Sequence, residues 1–201
     1  MNTELEINIP TDWSEISIQK YQMYVDSVND ITEERDIIAK TISILCDIPE
    51  AIIYKIKLKD LKVIHSKLQK LISRPVNKEI INKINIDDKV FGWHSKLDDI
   101  TMGEFVDIEQ YAKDNNLAGM MSVLYRPIIK EDGNRYDIEP YDALTHEKNV
   151  ALFKKLSVNI ANPVAVFFWN LGSIQLANFH QSLKEVEANQ VQQASTDGSL
   201  S

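Results

Sequence analysis

Apolar residues recur along this chain at two spacings, and the helical one dominates. Tyr21, Tyr24, Val25 and Val28 share one helical face and predict a helix from about Ile18 to Val28. Ile37, Ile38, Thr41, Ile42 and Leu45 predict a second, over roughly Glu33 to Leu45. Pro49 suits the first turn of a short helix reaching Tyr54. Leu58, Leu61, Ile64, Leu68 and Leu71 then mark a strongly amphipathic helix, whose opposite face carries Lys59, Lys62, Lys67 and Lys70. Further on, Phe105, Ile108 and Tyr111 continue a helix, and the segment from Leu117 to Leu124 predicts a short one that stops before Arg126-Pro127. A loop or short helix is expected from Asp142 to Asn149, and a helix from Val150 to Asn159.

The two-residue spacing is confined to short stretches. Leu5 to Ile9 alternates and ends at Pro10, as a short strand or extended arm would. After Arg74-Pro75, IINKINIDDKVFGW is rich in β-branched residues around Asp87-Asp88 and predicts a hairpin. YRPIIKEDGNRYDIEPY predicts a second around Asp132-Gly133-Asn134. The fold class is therefore α+β, predominantly α-helical with two short β-hairpins. The expected organisation is an N-terminal helical region over 1–75, a mixed helix and hairpin region over 76–188 packed on it, and a flexible polar tail over 189–201.

Two helix starts are written in nearly the same phrase. In DDITMGEFVD, Thr101 is an N-cap, Glu104 falls where it completes a capping box, and Ile100 and Phe105 have the spacing of a hydrophobic staple. In SEISIQKYQMYVD, Ser17 caps, Ile16 and Tyr21 form the staple, and Lys20 replaces the box glutamate. A shared capping device explains the echo locally; a duplicated segment is the alternative. The last element is expected to be a long helix starting at Pro163, with Asn162 as its cap. Its opening stretch, including Val164, Val166, Phe167, Phe168 and Trp169, is apolar all round and needs to be buried or covered by a partner.

Composition changes this picture little. Of 201 residues, 44% are apolar and 26% charged, ordinary for a globular chain. No run approaches the roughly 20 apolar residues that cross a bilayer, and the opening MNTELEINIP gives no expectation of a signal peptide. Charge is more informative. The net charge is −8, yet Lys55 to Lys89 holds ten basic against four acidic residues, a local +6 that leaves −14 on the remainder. An acidic whole disfavours general nucleic-acid binding. The basic helix is a candidate docking face, with Lys59, Lys62, Lys67 and Lys70 as contacts.

Candidate chemistry is sparse. The single cysteine, Cys46, sits in an apolar run and reads as a buried small hydrophobe. His65, His94, His146 and His180 form no metal-binding pair by spacing. No phosphate-binding glycine loop or nucleophile elbow is present. Asp98 and Asp99 are read as favourable charges ahead of a helix N-terminus, with an acid pair as the minor alternative. Arg126 is expected to anchor a hairpin to an acidic neighbour such as Asp107. Trp13, Trp93 and Trp169 are expected in the core. No catalytic residue, cofactor or metal ligand is expected.

The order of the phrases WSEISIQKYQMY, TISILCDIPEAIIYKIKLKDLK, DDITMGEFVDIEQY, MMSVLYRPI and VAVFFWNLG, spanning Trp13 to Gly172, resembles proteins of the virion morphogenesis region of tailed bacteriophages. These include tail assembly chaperone-like, head–tail and internal virion proteins, among them those of crAss-like phages. The resemblance implies a non-enzymatic assembly protein. Its partners would be other phage structural proteins (tail, neck, portal or internal), and its place the host cytoplasm during assembly or the virion itself. The alternative is an adaptor that docks an acidic partner or nucleic acid through the lysine-rich helix. An enzyme with a spatially assembled acidic site is the third reading.

Overall fold

A computed structural model describes residues 6–75, 79–94, 99–133, 135–144 and 146–165. The chain is α+β and mostly helical, with a four-stranded antiparallel sheet. A compact unit extends to Pro163, and a second runs from Val164 to Ser201. The expected tail over 189–201 lies outside the described residues.

The first part of the larger unit is a helical layer. A 3-10 turn at Trp13–Glu15 leads into α1 (Ile18–Val28), α2 (Glu34–Leu45), α3 (Glu50–Ile53) and α4 (Leu58–Ile72). Their apolar faces close one core that includes Trp13, Ile16, Ile42, Leu45, Leu68 and Leu71. Burying side chains of this size stabilises by about 1.5–3 kcal/mol each before entropy is subtracted. Cys46 is in this core, and burial pushes its thiol up to about 11. Leu5 to Ile9 was expected to be a short strand or an extended arm; its described residues form no strand, and Ile7 and Ile9 pack against the helices, as the second alternative requires. Pro49 stands at the N-cap of α3 rather than inside its first turn.

The second part starts with a sheet. The strands β1 (Lys83–Ile86), β2 (Lys89–Trp93), β3 (Tyr125–Asp132) and β4 (Arg135–Ile138) lie in that order. Both expected hairpins form, and they join because β2 pairs with β3, Gly92 opposite Arg126. Asp87 turns the first hairpin with a left-handed φ of 50°, which Asp tolerates better than most residues, and Gly133 turns the second at 59°. Between the hairpins run α5 (Met102–Lys113) and α6 (Leu117–Leu124). Every residue of α6 is buried, and it passes into β3 without a loop. Aromatic edges seal this core: Phe91 meets Phe153 at 5.3 Å and Trp93 meets Tyr125 at 5.1 Å between ring centres.

The helix expected over Val150 to Asn159 is displaced. α7 spans His146–Phe153, a turn follows, and helix resumes at 158. The break comes from a two-strand bridge between Ser17 and Ser157: Ile18 N donates to the Leu156 carbonyl and Val158 N to the Ile16 carbonyl, both at 2.8 Å. The last helix therefore starts before Asn162, which is helical and buried and does not act as a cap.

The helices pack in a chain of neighbours, and one contact depends on a glycine. α4 packs on α2, α2 on α1, α1 on α6, and α6 on α5. At Gly119 of α6 a Cβ would lie 2.4 Å from the Tyr111 ring of α5. Gly119→Ala should therefore cost about 1–3 kcal/mol in urea unfolding. Gly103→Ala, whose Cβ would meet Tyr141 only at 3.4 Å, should be neutral or gain up to about 1 kcal/mol from helix propensity.

Candidate functional site

The lysine face is positioned by the core on its other side. On α4, Ile64, Leu68 and Leu71 are buried, and a helical period turns Lys59, Lys62 and Lys70 to the opposite side, with Lys67 flanking them. All four lysines are exposed, and none forms an ion pair among the described residues. Val63 shares this face at 56% exposure. Leu58, assigned from the sequence to the apolar stripe, is 66% exposed instead, at the very start of α4. Arg74 at the far end of α4 reaches Asp12 at 3.0 Å and ties the helix to the start of the chain.

Of the apolar contacts expected after Pro163, Val164 is buried. Val166, Phe167, Phe168 and Trp169 lie outside the described residues. Among the described residues no helix is long and apolar enough to cross a membrane.

The structure also gathers a polar cluster that spacing along the chain did not reveal. Glu104 is 1% exposed, although it lies in the first turn of α5. It completes the expected capping box: Oε2 accepts from the Thr101 amide and hydroxyl, each at 2.7 Å, and Thr101 Oγ accepts from the Glu104 amide at 3.3 Å. Its other oxygen faces Arg126 Nη2 on β3 at 2.9 Å and His94 Nε2 at 3.8 Å. Arg126 was expected to reach Asp107; its partner is Glu104, one turn earlier on the same side of α5. The contact is an ion pair without an aligned hydrogen bond, for Glu104 Oε1 and Arg126 Nε both lack a hydrogen-bond partner. Burial lowers the affinity of Arg126 for its proton, and Glu104 partly restores it.

Asp107 instead accepts a hydrogen bond from the Tyr141 hydroxyl. Burial, and then this bond, hold the Tyr141 phenol well above its usual range. His146 is buried beside them. Its Nδ1 donates to the Ala143 carbonyl at 3.0 Å, leaving Nε2 to accept from the Tyr111 hydroxyl at 2.9 Å. These contacts fasten α5, the loop before α7 and α7 itself to one another. His94 and His146 are thus members of interacting groups rather than isolated residues.

Chemically the cluster is a set of groups that pair with one another, with only Glu104 Oε1 and Arg126 Nε among its buried atoms lacking a hydrogen bond. Among the described residues, no three His, Cys, Asp or Glu side chains are placed to hold a metal ion. Two open grooves of about 380 and 330 Å³ flank the exposed Met23 of α1, sharing Gln19, and neither contains a residue of this cluster. Compared with known proteins, the chain matches no family model, no curated protein and no solved structure.

Two outcomes follow from the ion pair. Removing one partner, as in Glu104→Leu or Arg126→Met, should destabilise by about 3–5 kcal/mol, and the double replacement should cost less than the sum of the two. A double-mutant cycle by urea unfolding reads both. Burial, and then the Arg126 charge, depress the His94 pKa below its ordinary value. The unfolded chain therefore binds more protons between the ordinary value of about 6.5 and the lower folded one, so stability should fall as pH drops through that window. His94→Gln should flatten that slope.

Proposed function

We propose that this chain is a non-enzymatic assembly protein of a tailed bacteriophage that works by binding other virion proteins. The observation that carries the reading is α4, a helix with a buried apolar side and an outer side of four exposed lysines, unpaired among the described residues, beside Val63. A charged face that no neighbour among the described residues neutralises is suited to an acidic protein surface, where complementary charge sets partner choice and encounter rate. The resemblance of the phrases from Trp13 to Gly172 to phage morphogenesis proteins supports the setting. The buried polar cluster is compatible with a structural role, because its members are largely engaged with one another.

The lysine face also favours a second reading, an adaptor that binds an acidic partner or nucleic acid through the same helix. The two readings differ in salt dependence. Phosphate binding loses affinity with a log–log slope of about −0.9 for each phosphate neutralised.

Mass spectrometry of purified particles and of assembly intermediates from the source phage provides the test. Peptides of this chain should co-sediment with one or the other. The quadruple variant Lys59→Glu, Lys62→Glu, Lys67→Glu, Lys70→Glu should remain folded and lose that association. A chain that never accompanies any larger particle overturns the reading. Steep salt-dependent binding to nucleic acid, abolished by the same variant, supports the adaptor instead.

A further inference from the structure

α5 is attached differently from the other long helices. Of its 12 residues only Glu104 and Ile108 are buried, one carboxylate and one apolar side chain. By comparison α2 buries Ala39, Ile42 and Leu45, and α4 buries Ile64, Leu68 and Leu71. The large apolar side chains Met102, Phe105 and Val106 of α5 stand at 76%, 40% and 48% exposure. Phe105, expected to seal the start of the helix against Ile100, is among them. Apolar burial therefore contributes less to the seat of α5 than to that of α2 or α4.

What holds α5 down is a row of polar contacts about one turn apart, and a histidine takes part in each. Glu104 pairs with Arg126 at 2.9 Å and faces His94 at 3.8 Å. Asp107 accepts from the Tyr141 hydroxyl and faces His146 at 3.8 Å. Tyr111 reaches His146 Nε2 at 2.9 Å. Beneath the helix lies α6, buried along its whole length, with Gly119 against the Tyr111 ring. α5 thus covers an apolar helix while being fastened mainly by groups that carry or exchange charge. An element with few buried apolar contacts opens at lower free energy than the core around it.

His94 is the group placed to control that opening. Its amide donates to the Leu124 carbonyl at 2.8 Å, which fixes the ring where the end of β2 meets α5. Among the described residues the charged groups facing it are Glu104 on α5, Arg126 on β3 and Asp99 just ahead of α5. Arg126 keeps its charge throughout the range in which histidine titrates. Glu104 is already committed to Arg126 and to the Thr101 cap. A proton on His94 therefore sets a second cation beside the first in a site largely closed to water, with one carboxylate shared between them.

We propose that α5 is a lid over α6, closed while His94 is neutral and lifted as one unit when His94 takes up a proton. Lifting returns the charged ring to water and separates it from Arg126. Burial, and then Arg126, depress the proton affinity of His94 in the closed form. The open form binds its proton at the ordinary value of about 6.5 and the closed form only at lower pH. Opening therefore becomes easier as pH falls below the ordinary value, and levels off once the closed form is protonated as well. No residue of α4 takes part, so the lid stands apart from the proposed function.

Native-state hydrogen exchange of the full chain, with low urea as a second variable, tests it. The helical amides from Phe105 to Lys113 should exchange as one unit, with less protection than α2 and α4. Their urea slope should be smaller, because lifting one helix exposes less surface than unfolding the chain. Between about pH 7 and about pH 5.5 the protection factors of this unit should fall by up to about tenfold per pH unit. His94→Gln, which stays polar but takes up no proton, should abolish that fall, whereas His65→Gln on α4 should keep it. Should His94→Gln fail to fold, the wild-type His94 ring read by NMR decides: it must titrate below about 6.5, and a ring titrating at or above that value leaves protonation nothing to drive. Exchange of α5 only with the global urea slope, opening confined to its first turn, protection that does not change with pH, or a pH dependence that survives His94→Gln overturns the proposal.

Discussion

A single carboxylate joins the halves of the mixed region. Glu104 holds the first turn of α5 with one oxygen and faces the guanidinium of Arg126 on β3 with the other. Neither contact alone accounts for its complete burial. A capping glutamate ordinarily stays wet, and the long side chain of a strand arginine ordinarily reaches solvent. Together they draw the N-terminus of a helix down onto a sheet and remove both charges from water. The arrangement is tolerated because each charge compensates the other, and it is costly to disturb for the same reason.

Much of the remaining geometry follows. With the start of α5 held against β3, Asp107 comes within reach of Tyr141, and Tyr111 lies over Gly119 and reaches His146. α6, wholly buried, is enclosed by α5, α7 and α1. The side of α5 that carries Glu104 is committed to the sheet, so Met102 and Val106 are left facing out. The exposed apolar surface of α5 is thus a consequence of where its carboxylate went. α4, by contrast, obeys the ordinary rule, with an apolar interior side and lysines outside.

Local devices were the legible part of the fold. The Thr101 box, the Ser17 cap, the amphipathic stripe of α4 and the turns at Asp87 and Gly133 are all specified by neighbours a few residues apart. Contacts between distant segments were less so. Glu104 and Asp107 lie one turn apart on the same side of α5, and nothing along the chain says which of them Arg126 meets. The pairing of β2 with β3, separated by two helices, is likewise invisible in either hairpin. The Ser17–Ser157 bridge, which displaces the last helix start, links positions 140 residues apart in sequence. Of the candidate site, the lysine face was readable because amphipathicity is periodic. The polar cluster was not, because its residues come from separate elements and only the packed chain brings them together.

Native-state hydrogen exchange on the wild type and Glu104→Gln tests the central role of this carboxylate most directly. The account predicts that protection falls together in the first turn of α5 and in the β2–β3 pairing around Gly92 and Arg126, while α2 and α4 keep theirs. Loss of protection confined to the first turn of α5 would contradict it, for Glu104 would then be a helix cap and nothing more.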